Sequence, residues 1–386
     1  MQSIKMIDLQ SQQQIIRSNI DTAITDVLNS GDFILGAKVL ELEKKLTEFC
    51  GAKFAISCAN GTDALTLVLK AKNVTNRDAI FVPAFTFTAT AEAVVLAGAQ
   101  PVFVDVLADN FNMNPNSLEA AILLAKQHKL KPTGIIPVDL FGLPANYSAI
   151  DFIAEQHDLW VLSDAAQSFG AMCLDKKVGT FGLATATSFF PSKPFACYGD
   201  GGCIFTDDAD LTEILKSIRV HGAKLNNGIL DKYNNVRIGV NSRLDTIQAA
   251  VLLEKLKIFP QELVLRNKVA SIYNNLLKNI TTIVTPILHQ ETISTWSQYT
   301  IKLNTNKINN QILKLDLEKA GIPTVIYYSK PISAHAPYAN YYKTDLSVSV
   351  TLSDTVLSLP MHPYLSIDDQ EYIVSNLQKV LLAHKC

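Results

Sequence analysis

The sequence lacks several features that assign proteins to common classes. Its 386 residues include only six cysteines and no Cys-x-x-Cys pair, which disfavours a zinc site and a thioredoxin-like motif, so no metal site is expected. No run of about 18 uninterrupted apolar residues occurs, and the first residues lack a basic region followed by an apolar one. We therefore expect neither a membrane span nor export, and a cytoplasmic location.

The sequence also lacks an excess of charge of either sign. Lys and Arg number 34 against 36 for Asp and Glu, a net charge of −2, so neither nucleic acid nor a membrane surface is expected as a partner. No Gly-x-Gly-x-x-Gly follows a strand. The P-loop spacing of Gly31 and Gly36 continues with Ala37-Lys38-Val39 and not with the Lys-Ser/Thr that a P-loop requires, so nicotinamide and nucleoside triphosphate sites are disfavoured. With 48% hydrophobic residues, the chain has ample material for a core.

Short β-branched runs alternate with amphipathic stretches between residues 50 and 206. This pattern predicts a mostly parallel sheet covered by helices, in which ligands bind beyond the carboxyl ends of the strands. An irregular stretch containing Asn226-Asn227-Gly228 and a helix over residues 242–258, closed by Pro260, are predicted next. We expect a large domain over residues 1–255 and a small α+β domain over residues 256–386.

A phosphate site is indicated by Asn60-Gly61-Thr62, which follows one predicted strand and begins a helix. Backbone N–H groups and the positive end of the helix dipole converge at such a position. The alternative is an ordinary strand-to-helix turn in which Thr62 caps the helix. The residues by themselves leave both interpretations open.

Asp164 and Lys193 are candidates for covalent chemistry. Asp164 follows a predicted strand over residues 159–163, and a functional carboxylate there needs a cationic partner such as a protonated pyridine nitrogen. Lys193 lies among aromatic and small residues, where a dry pocket favours the neutral amine that condenses with an aldehyde. Together with Ser188 it suits one ligand that carries a phosphate at one end and an aldehyde at the other. The alternatives are a solvated turn carboxylate and a plain loop lysine.

Two further segments contain candidate ligand-binding side chains. Phe85 and Phe87 follow another strand, where a ring can stack on a flat cofactor for about 0.5–1.5 kcal/mol beyond burial, or pack in the core. Arg243 can clamp a carboxylate or a phosphate, or lie on the solvated face of a helix. Asn241 and Ser242 can instead be caps of that helix.

Taken together, these segments resemble the nucleotide-sugar aminotransferases of the DegT type, pyridoxal-phosphate enzymes with the aspartate aminotransferase fold (fold type I). The resemblance extends over residues 31–257. It depends on four stretches, residues 60–65, 164–171, 188–202 and 241–245. The fold class that it implies is α/β, with a large domain built on a mostly parallel mixed sheet and a smaller α+β C-terminal domain.

The resemblance implies a role for each matching residue. Lys193 would bind the aldehyde of pyridoxal 5'-phosphate, and Asp164 would pair with its ring nitrogen. The other cofactor contacts would be Gln167 at the phenolic oxygen, Phe87 on the ring face, and Gly61, Thr62, Ser188 and Asn241 of a second subunit at the phosphate. An active site shared between chains makes a homodimer the expected assembly. The lysine also separates this chain from the related sugar dehydratases, which carry histidine there.

Within the family, the likeness is greatest to enzymes that aminate C3 of UDP-2-acetamido-2-deoxy-3-oxo-glucuronate, with glutamate as the expected amino donor. The residue matching Arg243 binds the uronate carboxylate in that subgroup. Tyr327-Tyr328 stands where many relatives have His-Tyr near the sugar, so both tyrosines are candidate substrate contacts. His221 is expected either to line the sugar pocket or to be a buried structural residue.

Other functions remain open from the sequence. The first alternative substrate is a 3-keto or 4-keto deoxysugar linked to dTDP, UDP or GDP. A dehydratase, lyase or desulfurase of the same fold is disfavoured by the surroundings of Lys193, and a non-catalytic sugar-binding or regulatory protein is a second alternative. Bacterial surface polysaccharide synthesis, such as that of the lipopolysaccharide O-antigen, is the setting that the resemblance implies.

Overall fold

The structure is a computed structural model that describes residues 4–226, 229–288 and 291–385. The helices are α1 (Leu9–Ser30), α2 (Ala37–Cys50), α3 (Gly61–Ala71), α4 (Ala89–Leu96), α5 (Pro115–Gln127), α6 (Tyr147–His157), α7 (Ala209–Ile218), α8 (Thr246–Leu277), α9 (Asn310–Lys319), α10 (Ser347–Thr355) and α11 (Ile367–Ala383). The strands are β1 (Phe54–Cys58), β2 (Asp78–Pro83), β3 (Gln100–Val104), β4 (Lys131–Ile135), β5 (Trp160–Asp164), β6 (Met172–Cys173), β7 (Lys176–Lys177), β8 (Ala184–Ser188), β9 (Gly202–Thr206), β10 (Ala223–Asn226), β11 (Ile229–Asn235), β12 (Ile283–Val284), β13 (Thr292–Ile293), β14 (Tyr299–Leu303) and β15 (Val356–Leu359).

One large sheet organises the first two thirds of the chain. Over the described residues its strand order is β1-β9-β8-β5-β4-β2-β3. The pairs from β8 through β3 are parallel, whereas β9 is antiparallel to both of its neighbours. Strand β1 therefore runs in the same direction as β8 and the other parallel strands. The predicted α/β class with a mostly parallel mixed sheet is confirmed.

Both faces of this sheet are buried, as the apolar strands predict. In β2, Ile80 and Val82 pack with α3, α4 and α7, whereas Ala79 and Phe81 pack with α5 and α6 on the other face. Successive side chains of a strand point to opposite faces, so a strand buried on both sides is apolar at every position. With both faces covered, ligands can reach the sheet only at its edges and strand ends.

The C-terminal part of the chain has a core of its own. Strands β12, β14 and β15 form an antiparallel sheet, and α9 and α11 contribute to the hydrophobic cluster that covers it. This matches the predicted α+β character. Helix α8 runs across the predicted boundary at residues 255 and 256, and the division at that position stays a prediction.

Helix α8 corrects the prediction that a helix ends at Pro260. It begins at Thr246 and continues through Pro260 to Leu277. Proline in a helix removes one backbone hydrogen bond, but packing against α1, α2 and α11 on several sides of α8 outweighs that local loss. In the described part of the chain, no helix, α8 included, combines the length and apolar character needed to cross a membrane.

The stretch after α7 is also more regular than predicted. Strands β10 and β11 pair antiparallel, with Asn226 opposite Ile229. Asn227 and Gly228 of the predicted irregular stretch lie outside the described residues. The prediction of irregular structure on the two sides of them is wrong, because backbone pairing between residues 223–226 and 229–235 compensates for their weak strand propensity.

Candidate active site

A cavity of about 550 Å³ opens at the carboxyl ends of the strands in the large sheet. The strands β1, β2, β5 and β8 run in one direction, so the residues that follow them meet at the same edge. The cavity is lined by many of the predicted site residues: Gly61, Thr62, Phe87, Asp164, Gln167, Ser188, Lys193, Tyr327 and Tyr328. The structure thus brings these residues together, as the motifs predict, whereas their individual roles stay predictions.

The corner between β1, α3 and β8 is shaped for an anion. The cap of α3 is Asn60, whose Oδ1 accepts the N–H of Asp63 at 2.8 Å, so the alternative with Thr62 as the cap is wrong. A Cβ on Gly61 would lie 2.7 Å from Cβ of Ser188, so only glycine allows this close approach. The N–H groups in the first turn of α3 and the hydroxyl of Ser188 border the same space, which suits a phosphate.

Asp164 is a buried carboxylate in the cavity wall. Thr90 Oγ1 donates to its Oδ2 at 2.8 Å, and the N–H of Ala166 donates to its Oδ1 at 3.3 Å. Burial raises the pKa of Asp164 above its usual value, while these hydrogen bonds and the charge of Lys193 act in the opposite direction. The alternative of a solvated turn carboxylate is wrong, because the residue is only 5% exposed.

Lys193 lies in a loop that hydrogen-bonds to the residues directly after β8. The N–H of Lys193 donates to the carbonyl of Phe190 at 2.9 Å, and that of Cys197 donates to the carbonyl of Phe189 at 2.8 Å. Burial lowers the pKa of the Lys193 amine, and the charge of Asp164 partly opposes this effect. A lowered pKa increases the fraction of neutral amine, the nucleophilic form, so Lys193 differs from a plain solvated loop lysine.

Gln167 and Tyr328 connect the two parts of the chain across the cavity. Oε1 of Gln167 accepts the N–H of Phe141 at 2.5 Å, and its Nε2 donates to the hydroxyl of Tyr328 at 3.3 Å. Burial raises the pKa of Tyr328, which keeps its hydroxyl neutral. Tyr327 lies next to it in the same wall. The C-terminal part therefore completes a cavity whose floor belongs to the large sheet.

The two aromatic candidates that follow β2 have different environments. Phe85 is 1% exposed and packs edge-on against Tyr328, with ring centroids 5.8 Å apart. Phe87 lines the cavity and is 57% exposed. Core packing is thus the role of Phe85, whereas the ring of Phe87 is available to stack on a flat ligand.

Three predicted site residues lie outside this cavity: Asn241 and His221 are exposed, and Arg243 is half-buried. The buried structural role considered for His221 is wrong for this reason. Ser242 is not a helix cap, because its Oγ accepts the N–H of Ala59 at 3.2 Å, and Asp245 occupies the N-cap position of α8. Asn241 was predicted to act in the site of a second subunit, and contacts of these residues with a ligand stay predictions.

The chain as a whole is similar to known aminotransferases. Residues 14–378 match the DegT/DnrJ/EryC1/StrS aminotransferase family. The chain belongs to this family. The prediction based on four short stretches is therefore confirmed, and the family match extends well beyond residue 257, where the resemblance seen in the sequence ends.

Individual members of the DegT/DnrJ/EryC1/StrS family support the same conclusion. The chain is 44% identical to UDP-2-acetamido-2-deoxy-3-oxo-D-glucuronate aminotransferase from Pseudomonas aeruginosa, over 94% of this chain and 96% of that protein. A DegT DnrJ EryC1 StrS aminotransferase from Brucella abortus superimposes with a TM-score of 0.93 at 47% identity, covering 98% and 99% of the two chains. NtdA from Bacillus subtilis, solved with bound cofactor PMP, has a TM-score of 0.86 at 27% identity, covering 98% and 83%. The predicted aminotransferase class and fold are confirmed.

Some residues of this aminotransferase site were missed by sequence reasoning. Thr90 binds Asp164 from the first turn of α4, and Asp139, which follows β4, donates its backbone N–H to the carbonyl of Asp164. The rule that polar residues directly after strands deserve examination would have found Asp139. Gln298 also lines the cavity, from just before β14 in the C-terminal part, and no motif marks it.

Proposed function

We propose that this aminotransferase moves an amino group from glutamate to C3 of UDP-2-acetamido-2-deoxy-3-oxo-glucuronate, with pyridoxal 5'-phosphate as cofactor. The main support for the proposal is that Lys193, Asp164 and the anion-binding corner at Gly61 line one cavity. Similarity to the Pseudomonas aeruginosa enzyme supports the choice of sugar, and similarity to the PMP-containing NtdA structure supports the cofactor. We place the reaction in the cytoplasm, in the synthesis of a surface polysaccharide.

The residues present in the cavity fit this cofactor. The corner that a Cβ on Gly61 would fill suits its phosphate, and the buried carboxylate of Asp164 suits a protonated ring nitrogen. The exposed ring of Phe87 is free to cover a planar group, and Lys193 offers an amine with a lowered pKa. A volume of about 550 Å³ leaves room for a sugar beside the cofactor.

When bound, pyridoxal phosphate supplies an aldehyde that carries the amino group and a ring that takes up an electron pair. Lys193 Nζ would hold the aldehyde carbon until the amine of glutamate takes its place, and the released Nζ would then move the proton that leaves the α-carbon of glutamate and later deliver a proton to C3 of the sugar. The ionised carboxylate of Asp164 holds the proton on the ring nitrogen. Glutamate leaves as 2-oxoglutarate, and the keto oxygen of the sugar is replaced by the amino group in a second half-reaction, so the kinetics are ping-pong.

The proposed assembly is a homodimer in which each active site receives Asn241 from the other chain. In a single chain Asn241 is exposed and does not line its own cavity. The hairpin of β10 and β11 and the segment after it also expose large apolar side chains, with Tyr233 at 89% and Ile238 at 90% exposure. A second copy that covered this surface would remove the side chains from water, which supports the dimer.

Gly61→Ala is expected to weaken binding of pyridoxal phosphate more than binding of pyridoxal, which lacks the phosphate. The added Cβ would lie 2.7 Å from Cβ of Ser188, so the phosphate corner must widen, at a cost to folding of about 1–3 kcal/mol. Equilibrium titration of the apo-protein with both compounds measures the difference. Gly31→Ala is the matched control, because it strains a left-handed residue at the end of α1 with no atom near the added Cβ. Equal losses for the two compounds would contradict a phosphate role.

The substrate is tested with a set of nucleotide keto sugars, glutamate and pyridoxal phosphate. We expect an aminated product from the 3-keto uronate and an equimolar amount of 2-oxoglutarate, measured by mass spectrometry and a coupled assay. Arg243→Gln is expected to reduce the preference for the uronate over the same sugar with a hydroxymethyl group by about tenfold or more, because a charge-assisted contact is lost. Amination of 4-keto sugars alone would refute the C3 assignment. Failure with every keto sugar would refute the aminotransferase proposal and favour a sugar-binding or regulatory protein.

A further inference from the structure

A second buried carboxylate belongs to the segment that pairs with Asp164. Asp139 follows β4 and has no exposed surface. Its backbone N–H donates to the carbonyl of Asp164 at 3.1 Å, and the N–H of Asp164 donates to the carbonyl of Pro137 at 2.9 Å. The two segments that carry these carboxylates are therefore held side by side at the edge of the sheet.

The carboxylate of Asp139 accepts hydrogen bonds on both oxygens. Ser168 Oγ donates to Oδ2 at 2.7 Å, while the N–H of Ala145 and the hydroxyl of Tyr147 donate to Oδ1 at 2.9 and 2.7 Å. Tyr147 has one proton, so Ser163 Oγ, 2.5 Å from the tyrosine oxygen, must be the donor in that contact. The protons of Ser168, Ala145 and Tyr147 point toward Asp139, a pattern that suits an ionised acceptor.

The negative charge of Asp139 has no cationic partner among the described residues. None of the ion pairs found there involves it. Burial, together with the charge of Asp164, raises the pKa of Asp139 to about 6, and hydrogen bonds limit the rise, so the group is ionised above that pH. Burying two negatively charged carboxylates on adjacent segments reduces the free energy of unfolding. A positively charged ligand group next to Asp164 would offset that loss.

The network around Asp139 also reaches the other residue that faces the cofactor. Ser168 directly follows Gln167, and Oε1 of Gln167 accepts the N–H of Phe141, two residues after Asp139. The turn over residues 137–143 thus holds the segment over residues 164–168 at several points. Any change at Asp139 can act on the cofactor through this segment or through its charge.

We propose that Asp139 is a positioning residue whose negative charge acts with that of Asp164 to keep the ring nitrogen of the cofactor protonated. The inference rests on the proposed function, because it requires pyridoxal phosphate in the cavity. Asp139 lines none of the cavity surface, so it acts through Asp164 and not by contact with the cofactor. Its hydrogen bonds hold the carboxylate in position, and the negative charge of the carboxylate stabilises the protonated ring nitrogen.

The test compares Asp139→Asn with Ser168→Ala in otherwise intact protein loaded with pyridoxal phosphate. Asparagine keeps the shape, since its oxygen can accept from Ala145 and Tyr147 while its amide donates to Ser168, but it removes the charge. Ser168→Ala removes one hydrogen bond and keeps the charge. The readout is the pH at which the ring nitrogen of the bound cofactor titrates, followed by NMR of cofactor that is isotopically labelled at that nitrogen, which reports the protonated form and not turnover.

We expect Asp139→Asn to lower this spectroscopic pKa by about one unit, because loss of a nearby negative charge disfavours the cationic form. Ser168→Ala is expected to shift it by less than about a third of that amount. An unchanged pKa in Asp139→Asn, or equal shifts in the two variants, would overturn the proposal. If Asp139→Asn does not fold, Asp139→Ser removes the same charge and is held to the same expectation.

The failure of this inference can be told apart from failure of the proposed function. If wild-type protein develops no visible absorbance with pyridoxal phosphate, the cofactor assignment itself is wrong and the inference is overturned with it. If wild-type protein develops the absorbance and Asp139→Asn titrates as wild type does, only the role of Asp139 is refuted. Thermal unfolding of each apo-variant shows whether a spectroscopic shift accompanies a loss of stability.

Discussion

Lys193→Ala is expected to abolish both turnover and the visible absorbance band that arises from the bond between the lysine and pyridoxal phosphate. The amine lies in the cavity, and burial lowers its pKa so that the neutral, nucleophilic form is accessible. Without it, no other described lysine lines the cavity to bind the aldehyde or to move the proton. We expect turnover to fall by about 10⁴-fold or more, measured as 2-oxoglutarate formed per enzyme.

Lys177→Ala is a matched control for this variant. Lys177 is half-buried and donates to the carbonyl of Phe49 at 2.7 Å, but it lies outside the cavity. We expect it to retain the absorbance and turnover of wild type. The assignment of Lys193 would be rejected if Lys193→Ala remained active with its absorbance intact. Reduction with borohydride, followed by peptide mapping, would then show which amine binds the cofactor.

Asp164→Asn is expected to reduce turnover by about 10²-fold or more while the protein still binds pyridoxal phosphate. The variant keeps the shape of the side chain but removes the charge that, as we propose, holds a proton on the ring nitrogen. It also removes the negative charge that raises the pKa of Lys193, so that pKa is expected to fall further in the apo-protein. Rates of amine acetylation as a function of pH, followed at Lys193 by mass spectrometry, measure this shift.

The pH dependence of stability gives an independent check on Asp164. Its pKa is raised on folding, so the wild-type apo-protein loses stability as the pH rises from the unfolded value of about 3.9 through the folded value. Asp164→Asn should lose less stability over this window. Thr90→Val is the control, because it removes a hydrogen bond to Asp164 and keeps the charge. If Thr90→Val lowered turnover as much as Asp164→Asn, orientation and not charge would be the function of Asp164.

The parts of the site that could be predicted are those tied to strand ends. Gly61, Asp164 and Ser188 each lie at or just after the end of a strand, and the alternation of strands and helices predicted that these ends would meet. The residue types then indicated the chemistry, since an amine, a carboxylate and a glycine turn suit one aldehyde-bearing phosphate ligand. The same argument could not separate Phe85 from Phe87, because their difference in exposure depends on the packing of Tyr328 against Phe85.

Other parts of the site depend on residues far apart in the chain. Tyr328 reaches Gln167 across 161 positions, and Gln298 enters the wall from a segment without a motif. Arg243 and His221 lie outside the cavity of their own chain, which no local pattern predicts. Contacts of this kind depend on how the two parts of the chain pack against each other, and no local sequence pattern predicts that packing.

The sequence by itself determined the α/β class, the family and the chemical types of the central residues, because strand periodicity and turn chemistry depend on neighbours within a few positions. Only the tertiary structure decided that α8 continues through Pro260, that Asp139 joins the network of Ser168 and Tyr147, and that Phe87 stays exposed. Burial in the tertiary structure also raises the pKa of Asp164 and lowers the pKa of Lys193. Burial and charge pairing depend on which distant segments exclude water from a site, so they become defined only when the whole chain has packed.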